Sequence, residues 1–197
     1  FKDLANMRSN GLAVMDLDDD DEVVSVRRRF KGEDVIMVTS NGLSIRFSAD
    51  QVPRRSRAAG GVRGIRLDKG DVVVGMEVIK PDEQLLVVSL QGYGKLVSMA
   101  KYPRQRRAGR GVLVFKVTDK TGRLSDARTV PDGKKDEVFI VSAHGQVIRV
   151  GLEEIALQGR NSSGVTIWRV EDSDSDDQVV SIACFRDTDT RDTDTIE

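Results

Sequence analysis

The sequence predicts an all-β fold of propeller-like blades, each of about four antiparallel strands. Three observations predict it. A glycine-led motif recurs as GLAVMDL from Gly11, GVRGIRL from Gly61, GVLVFKV from Gly111 and GVTIWRV from Gly164, at spacings of 50, 50 and 53 residues. A second marker keeps step with it: VIMVTSNG ends at Gly42, LLVVSLQG at Gly92 and VFIVSAHG at Gly145. The apolar runs are short, rich in Val, Ile and Leu, and bounded by Gly, Asp, Asn or Pro, as strands are.

Taken in order, each repeat opens with its glycine-led strand. A polar turn follows: DLDDDDE from Asp16, DKGD from Asp68, and later PDGKKDE from Pro131. The second marker is the first strand of a hairpin, whose glycine supplies the positive φ a tight reversal needs. LSIRF, YGKLV and QVIRV form the returning strands. An apolar anchor (Val52, Tyr102, Ile155) then leads into an eight-residue loop: PRRSRAAG, PRQRRAGR and ALQGRNSS. No persuasive helix is visible, although Leu152–Ala156 has room for one turn. A unit of this size cannot bury both its faces alone, so neighbours must stack around an axis. The expected organisation is a partial ring over residues 1–185, with repeats at about 11–60, 61–110, 111–163 and 164–185. An acidic, disordered tail is expected over 186–197, where RDTDT occurs twice.

Composition narrows the function. The 197 residues carry 31 Lys+Arg and 32 Asp+Glu, one His and one Cys, and no run of 18 apolar residues. A disulfide framework and an ordinary zinc site are excluded, and a reducing, cytoplasmic setting is expected. The first residue is Phe1 with no signal-peptide pattern after it, which reads as a piece excised from a longer chain. Near-neutrality hides an asymmetry. Residues 171–197 hold ten acids against two bases, net -8, while residues 1–170 hold 29 bases against 22 acids, net +7. A basic body with an acidic end points to a polyanionic partner and a built-in competitor for it.

The basic charge is placed periodically. Arg54, Arg55, Arg57, Arg63 and Arg66 occupy one acid-free stretch; Lys95, Lys101, Arg104, Arg106, Arg107, Arg110 and Lys116 occupy another. Both contain the loop that joins one blade to the next. In a ring, equivalent loops lie at one rim, and a polyanion following that rim must bend. Arginine's planar fork bridges phosphate oxygens, and small neighbours let a backbone approach. Nothing is arranged to read bases, so the expected mode is contact with the duplex backbone plus bending. The third loop is weaker: it keeps Arg160 among Asn161, Ser162 and Ser163. A protein-interaction scaffold is the competing class, disfavoured by the lack of mixed charge and aromatic anchors on these loops.

The segment Gln105-Arg106-Arg107-Ala108-Gly109-Arg110-Gly111 resembles the gyrase A box, QRRGGKG, at five of seven positions; Ala108 stands for a Gly and Arg110 for a Lys. GVRGIRL, the QGYGK from Gln91 and the GRNSSGV from Gly159 are similar to motifs of the same domain. The resemblance is to the C-terminal β-pinwheel domain of the A subunit of bacterial DNA gyrase, and it covers about residues 5–185. It implies a propeller-like disc whose blades exchange strands and whose basic edge wraps DNA. That wrapping supports ATP-dependent negative supercoiling by the holoenzyme, a type IIA topoisomerase. It implies the rest of the gyrase A subunit and the gyrase B subunit as partners, nucleoid association, and ATP and Mg used elsewhere in the holoenzyme. It places these repeats late in the domain, with the principal box upstream. The C-terminal domain of the topoisomerase IV A subunit is the related alternative.

Single residues read as structural. Tyr93 follows a hairpin glycine and Tyr102 is an anchor, so neither is the covalent tyrosine of such enzymes. His144 is a turn residue; Cys184 and Trp168 are core candidates. Asp18–Glu22 lacks the spacing and glycine of a calcium loop. No catalytic residue and no metal ligand is expected.

Overall fold

The computed structural model describes residues 13–56, 59–80, 82–132, 136–169 and 177–185. Its regular elements are strands and three one-turn 3-10 segments. The first hairpin is β1 (Asp34–Thr39) and β2 (Leu43–Ser48), and the next strand is β3 (Val73–Ile79). The second hairpin is β4 (Glu83–Ser89) and β5 (Tyr93–Ser98). It is followed by β6 (Val112–Leu113) and β7 (Leu124–Pro131). The third is β8 (Glu137–Ser142) and β9 (Val147–Gly151), followed by β10 (Val165–Thr166) and β11 (Val179–Phe185).

The sheets do not coincide with the sequence repeats, because strands are exchanged. The first sheet has the order β3-β1-β2-β6, the second β10-β5-β4-β7 and the third β11-β8-β9. Each hairpin therefore receives one long strand from about thirty residues on. The first two also receive a short crossing strand from the repeat after that: Val112 pairs with Ser44, and Val165 with Gly94. All pairings between these strands are antiparallel.

The two sequence markers meet physically. Gly42 accepts from the Val114 and Phe115 amides, and Gly92 from those of Ile167 and Trp168. A Cβ at Gly42 would collide with the Phe115 carbonyl oxygen, and one at Gly92 with that of Trp168. Both glycines hold positive φ, +80° and +71°. The hairpin glycine thus serves the turn and the close approach of the crossing strand at once. Gly145 shares the φ, +82°, but no described residue lies within 4 Å of its Cβ position.

Alternating residues of β4 build two cores. Leu85 and Val87 face Ile36, Val38 and Phe115; Leu86 and Val88 face Val138, Ile140 and Ile182. All ten are essentially inaccessible to solvent, and each such side chain contributes about 1.5–3 kcal/mol by burial. Trp168 and Cys184 pack partly buried against the second of these cores. Among the anchors, Tyr102 and Ile155 are buried, while Val52 is exposed. Met15, in register with Phe115 and Trp168, is also exposed. The expected turn near Leu152 is a 3-10 segment, Leu152–Glu154, and it has counterparts at Ala49–Gln51 and Met99–Lys101.

Aspartates latch the hairpin tips. Asp71 accepts from the Ser40 hydroxyl at 2.8 Å and the Asn41 amide at 2.9 Å. Asp177 accepts from the His144 and Gln178 amides, both at 2.9 Å. Burial pushes the Asp177 carboxyl up, but hydrogen bonds from Ser142 and these amides outweigh it and hold the group below its ordinary range. One acid of the acidic C-terminal stretch is therefore part of the fold. Residues 186–197, the expected tail, lie outside the described residues.

Candidate nucleic-acid interface

The loops after the second and third hairpins climb along the edge of the preceding blade. In the second loop Arg104 bridges to Arg46 of β2, and the Gln105 amide donates to the Arg46 carbonyl at 2.7 Å. In the third, Leu157 bridges to Leu96 of β5, and Ala156 and Gln158 exchange backbone hydrogen bonds with Leu96. The position of these two loops is therefore set by the same backbone pairing to a strand of the preceding blade.

The same pairing joins the two basic stretches. The Ala108 amide donates to the Gly64 carbonyl at 2.7 Å, and the Arg66 amide to that of Gly109 at 2.8 Å. The Arg107 amide donates to the Gln51 side-chain oxygen at 2.9 Å. The described residues of 51–66 and the loop 101–110, far apart in sequence, are thus joined into one band.

Within that band the arginines divide by role. Arg54, Arg55, Arg63, Arg66, Lys101 and Arg106 are exposed. Arg104 and Arg110 are exposed too, but pair with Asp34 at 2.9 Å and Asp68 at 3.0 Å. The Arg110–Asp68 pair is a weak surface pair whose carboxylate phosphate can replace, whereas Asp34 is nearly buried and is held by Arg46 as well. Arg107 is a clamp: its guanidinium donates to the Arg63 and Gln51 carbonyls. Arg160 repeats the gesture one blade on, donating to the Leu113 carbonyl at 3.0 Å. The Gln105 side chain is half-buried in the loop. Lys116 is exposed, with its amide on the Ser162 carbonyl. Arg57 lies outside the described residues.

Lys95 departs from the expectation of a DNA-facing base. It is fully buried, and its ammonium donates to the carbonyls of Gly159, Arg160 and Ser162 at 2.7, 2.9 and 2.8 Å, and to the Ser162 hydroxyl at 3.0 Å. Burial, and secondarily the Arg160 cation, pull it down to about 8. Its charge is used to hold the third loop and is not presented to a partner. Arg46 carries no signal of its own in the sequence. It pairs with Asp34 at 2.9 Å and donates to the Met99 and Tyr102 carbonyls, fixing the start of the second loop.

The blades and their loops have counterparts in known proteins. The model of the family described as DNA gyrase C-terminal domain, beta-propeller, matches residues 1–28, 33–80, 83–131 and 136–186. The DNA gyrase A subunit of Clostridium acetobutylicum is 42% identical over 178 residues, covering 90% of this chain and 21% of that protein. The chain thus spans about a fifth of the length of such relatives. Among solved structures, a DNA gyrase A C-terminal domain superposes with a TM-score of 0.81 at 30% identity, covering 90% of this chain and 59% of the other. The C-terminal domain of a DNA topoisomerase IV superposes at 0.77 with 25% identity, covering 88% and 53%. Four family matches in step, laid over the strand-exchanged blades, establish that the chain belongs to the DNA gyrase C-terminal domain family.

Proposed function

We propose that this chain is the DNA-binding and DNA-wrapping module of a gyrase A subunit, without catalytic residues of its own. The observation that carries the reading is the fusion of two acid-poor loops into one band at the edge of adjacent blades. Six exposed bases there lack an ion pair with any described residue: Arg54, Arg55, Arg63, Arg66, Lys101 and Arg106. Duplex DNA laid along the band has its phosphates neutralised on one side and bends around the blades. In the holoenzyme, with the remainder of the A subunit and with the B subunit, the bent segment is presented for strand passage, and the resulting supercoiling is driven by ATP bound elsewhere.

A salt-titrated gel shift on linear duplex, with topology analysis of relaxed plasmid religated in the presence of the chain, tests this. About six phosphate contacts predict a slope of log affinity against log salt near −5. Arg106→Ala is expected to weaken binding alike for all sequences and to flatten that slope by about 1. No binding at low salt, or a loss confined to one DNA sequence, overturns the proposal.

A further inference from the structure

We propose that the turn around Arg28 and Lys31 is a second phosphate-binding site for duplex DNA, carrying the duplex off the rim and across the face on which the hairpins begin. The proposal rests on the reading of the chain as a DNA-binding module. The run Arg27-Arg28-Arg29-Phe30-Lys31 lies outside the interblade loops, and its charges are not a requirement of the repeat. Fifty residues on, the matching run is Glu77-Val78-Ile79-Lys80-Pro81, and the third such turn, residues 131–137, mixes two lysines with three acids.

Two of the cations hold the turn in place. Arg27 forms two bonds to the Glu77 carboxylate, both at 2.6 Å, and Arg29 pairs with Asp50 at 2.7 Å. The other two point to a ligand. Arg28 and Lys31 are exposed and form no salt bridge with a described residue. The Arg28 guanidinium lies 4.9 Å over the Phe30 ring, and that ring is itself 60% exposed. The aromatic shelf fixes the guanidinium without consuming its hydrogen-bond donors, so little order is lost when phosphate binds.

Beside the turn is a cleft of about 860 Å³ whose lining includes both Lys31 and Arg54. Its lining also includes Val35, Val52 and Met76. The one acid among its described lining residues is Asp50, already engaged by Arg29 and by the Gly32 amide at 3.2 Å, and the turn's own Glu33 carboxylate accepts from the Phe30 amide at 2.6 Å. A duplex is too wide to enter, but one phosphate strand can run along the mouth from Lys31 to Arg54. Arg54 is also a member of the rim band, so the two surfaces are continuous. The matching turn of the next blade offers Lys80 alone. The duplex path is therefore inclined: along the edge at the second blade, and over the face at the first.

The test is the double variant Arg28→Ala/Lys31→Ala in the whole chain. It is compared with the unaltered chain and Arg106→Ala on duplexes from a length the rim alone spans to one several times longer. Gel shifts across salt and hydroxyl-radical footprints are the readouts. The expected result is a slope flattened by up to about 2 and a footprint shortened at one end, both on long duplexes only. An unchanged slope and footprint at every length, while Arg106→Ala keeps its loss, overturns this site and leaves the rim standing. Absence of binding by the unaltered chain at low salt overturns both.

Discussion

Ala108 stands where the box that this loop resembles has a glycine, and the backbone shows what the substitution costs. Its φ is +67°, in the left-handed region, and its amide is committed to the Gly64 carbonyl. An L-residue there is strained by about 1–2 kcal/mol. Glycine would remove that strain and return about 0.5–1 kcal/mol to the flexibility of the unfolded chain. Ala108→Gly is therefore expected to stabilise the protein by about 0.5–1 kcal/mol, read as a raised urea midpoint with unchanged slope, and to leave DNA affinity unaltered. A lowered midpoint would mean that packing of the methyl outweighs the strain. Lys95 shows the limit of reading single residues. Its acid-free window groups it with the bases of the rim, yet by repeat register it matches Ile45 and Ile148, the first fully and the second partly buried. That register is legible in the sequence. The three carbonyls that make a lysine tolerable there are not, because the third loop that supplies them is more than sixty residues away.

At the scale of elements, strands and hairpin turns are legible because their signals are local: apolar runs and punctuating glycines. Strand exchange is not legible from local signals, since Val112 and Val165 pair with hairpins about seventy residues earlier. The glycine contacts give this a sharp test. Gly92→Ala and Gly145→Ala both place alanine at positive φ, and each loses roughly 1 kcal/mol from backbone strain net of unfolded-state entropy. Of the two, only Gly92 has a crossing strand of the described residues against it. Gly92→Ala must push the Ile167–Trp168 backbone away, breaking two hydrogen bonds to the Gly92 carbonyl and loosening the second core. Its destabilisation is expected to exceed that of Gly145→Ala by more than about 2 kcal/mol in denaturant melts. Near-equal losses would mean that the crossing strand contributes little to holding adjacent blades together.

At the scale of the whole molecule, charge is segregated along the chain in a way that composition conceals and position reveals. The basic loops are visible as acid-free windows; that they merge into one band is not, because the merger is made by backbone pairs such as Ala108 to Gly64. Against a body of net +7 over residues 1–170, the last twelve residues carry five acids and two bases. A segment of that sign, tethered to the body, has the charge to compete with phosphate at the effective concentration a short tether sets. Deleting residues 186–197 is therefore expected to tighten duplex binding, with the gain largest at low salt and fading as ionic strength screens the competition. The Asp177 latch is untouched by this deletion, since its contacts are to His144 and Gln178, so a melt at neutral pH should not shift. Gel shifts and melts on the shortened chain separate the cases. Tighter binding at unchanged stability identifies the tail as a competitor for DNA, whereas affinity unchanged across the salt range assigns it to solubility alone.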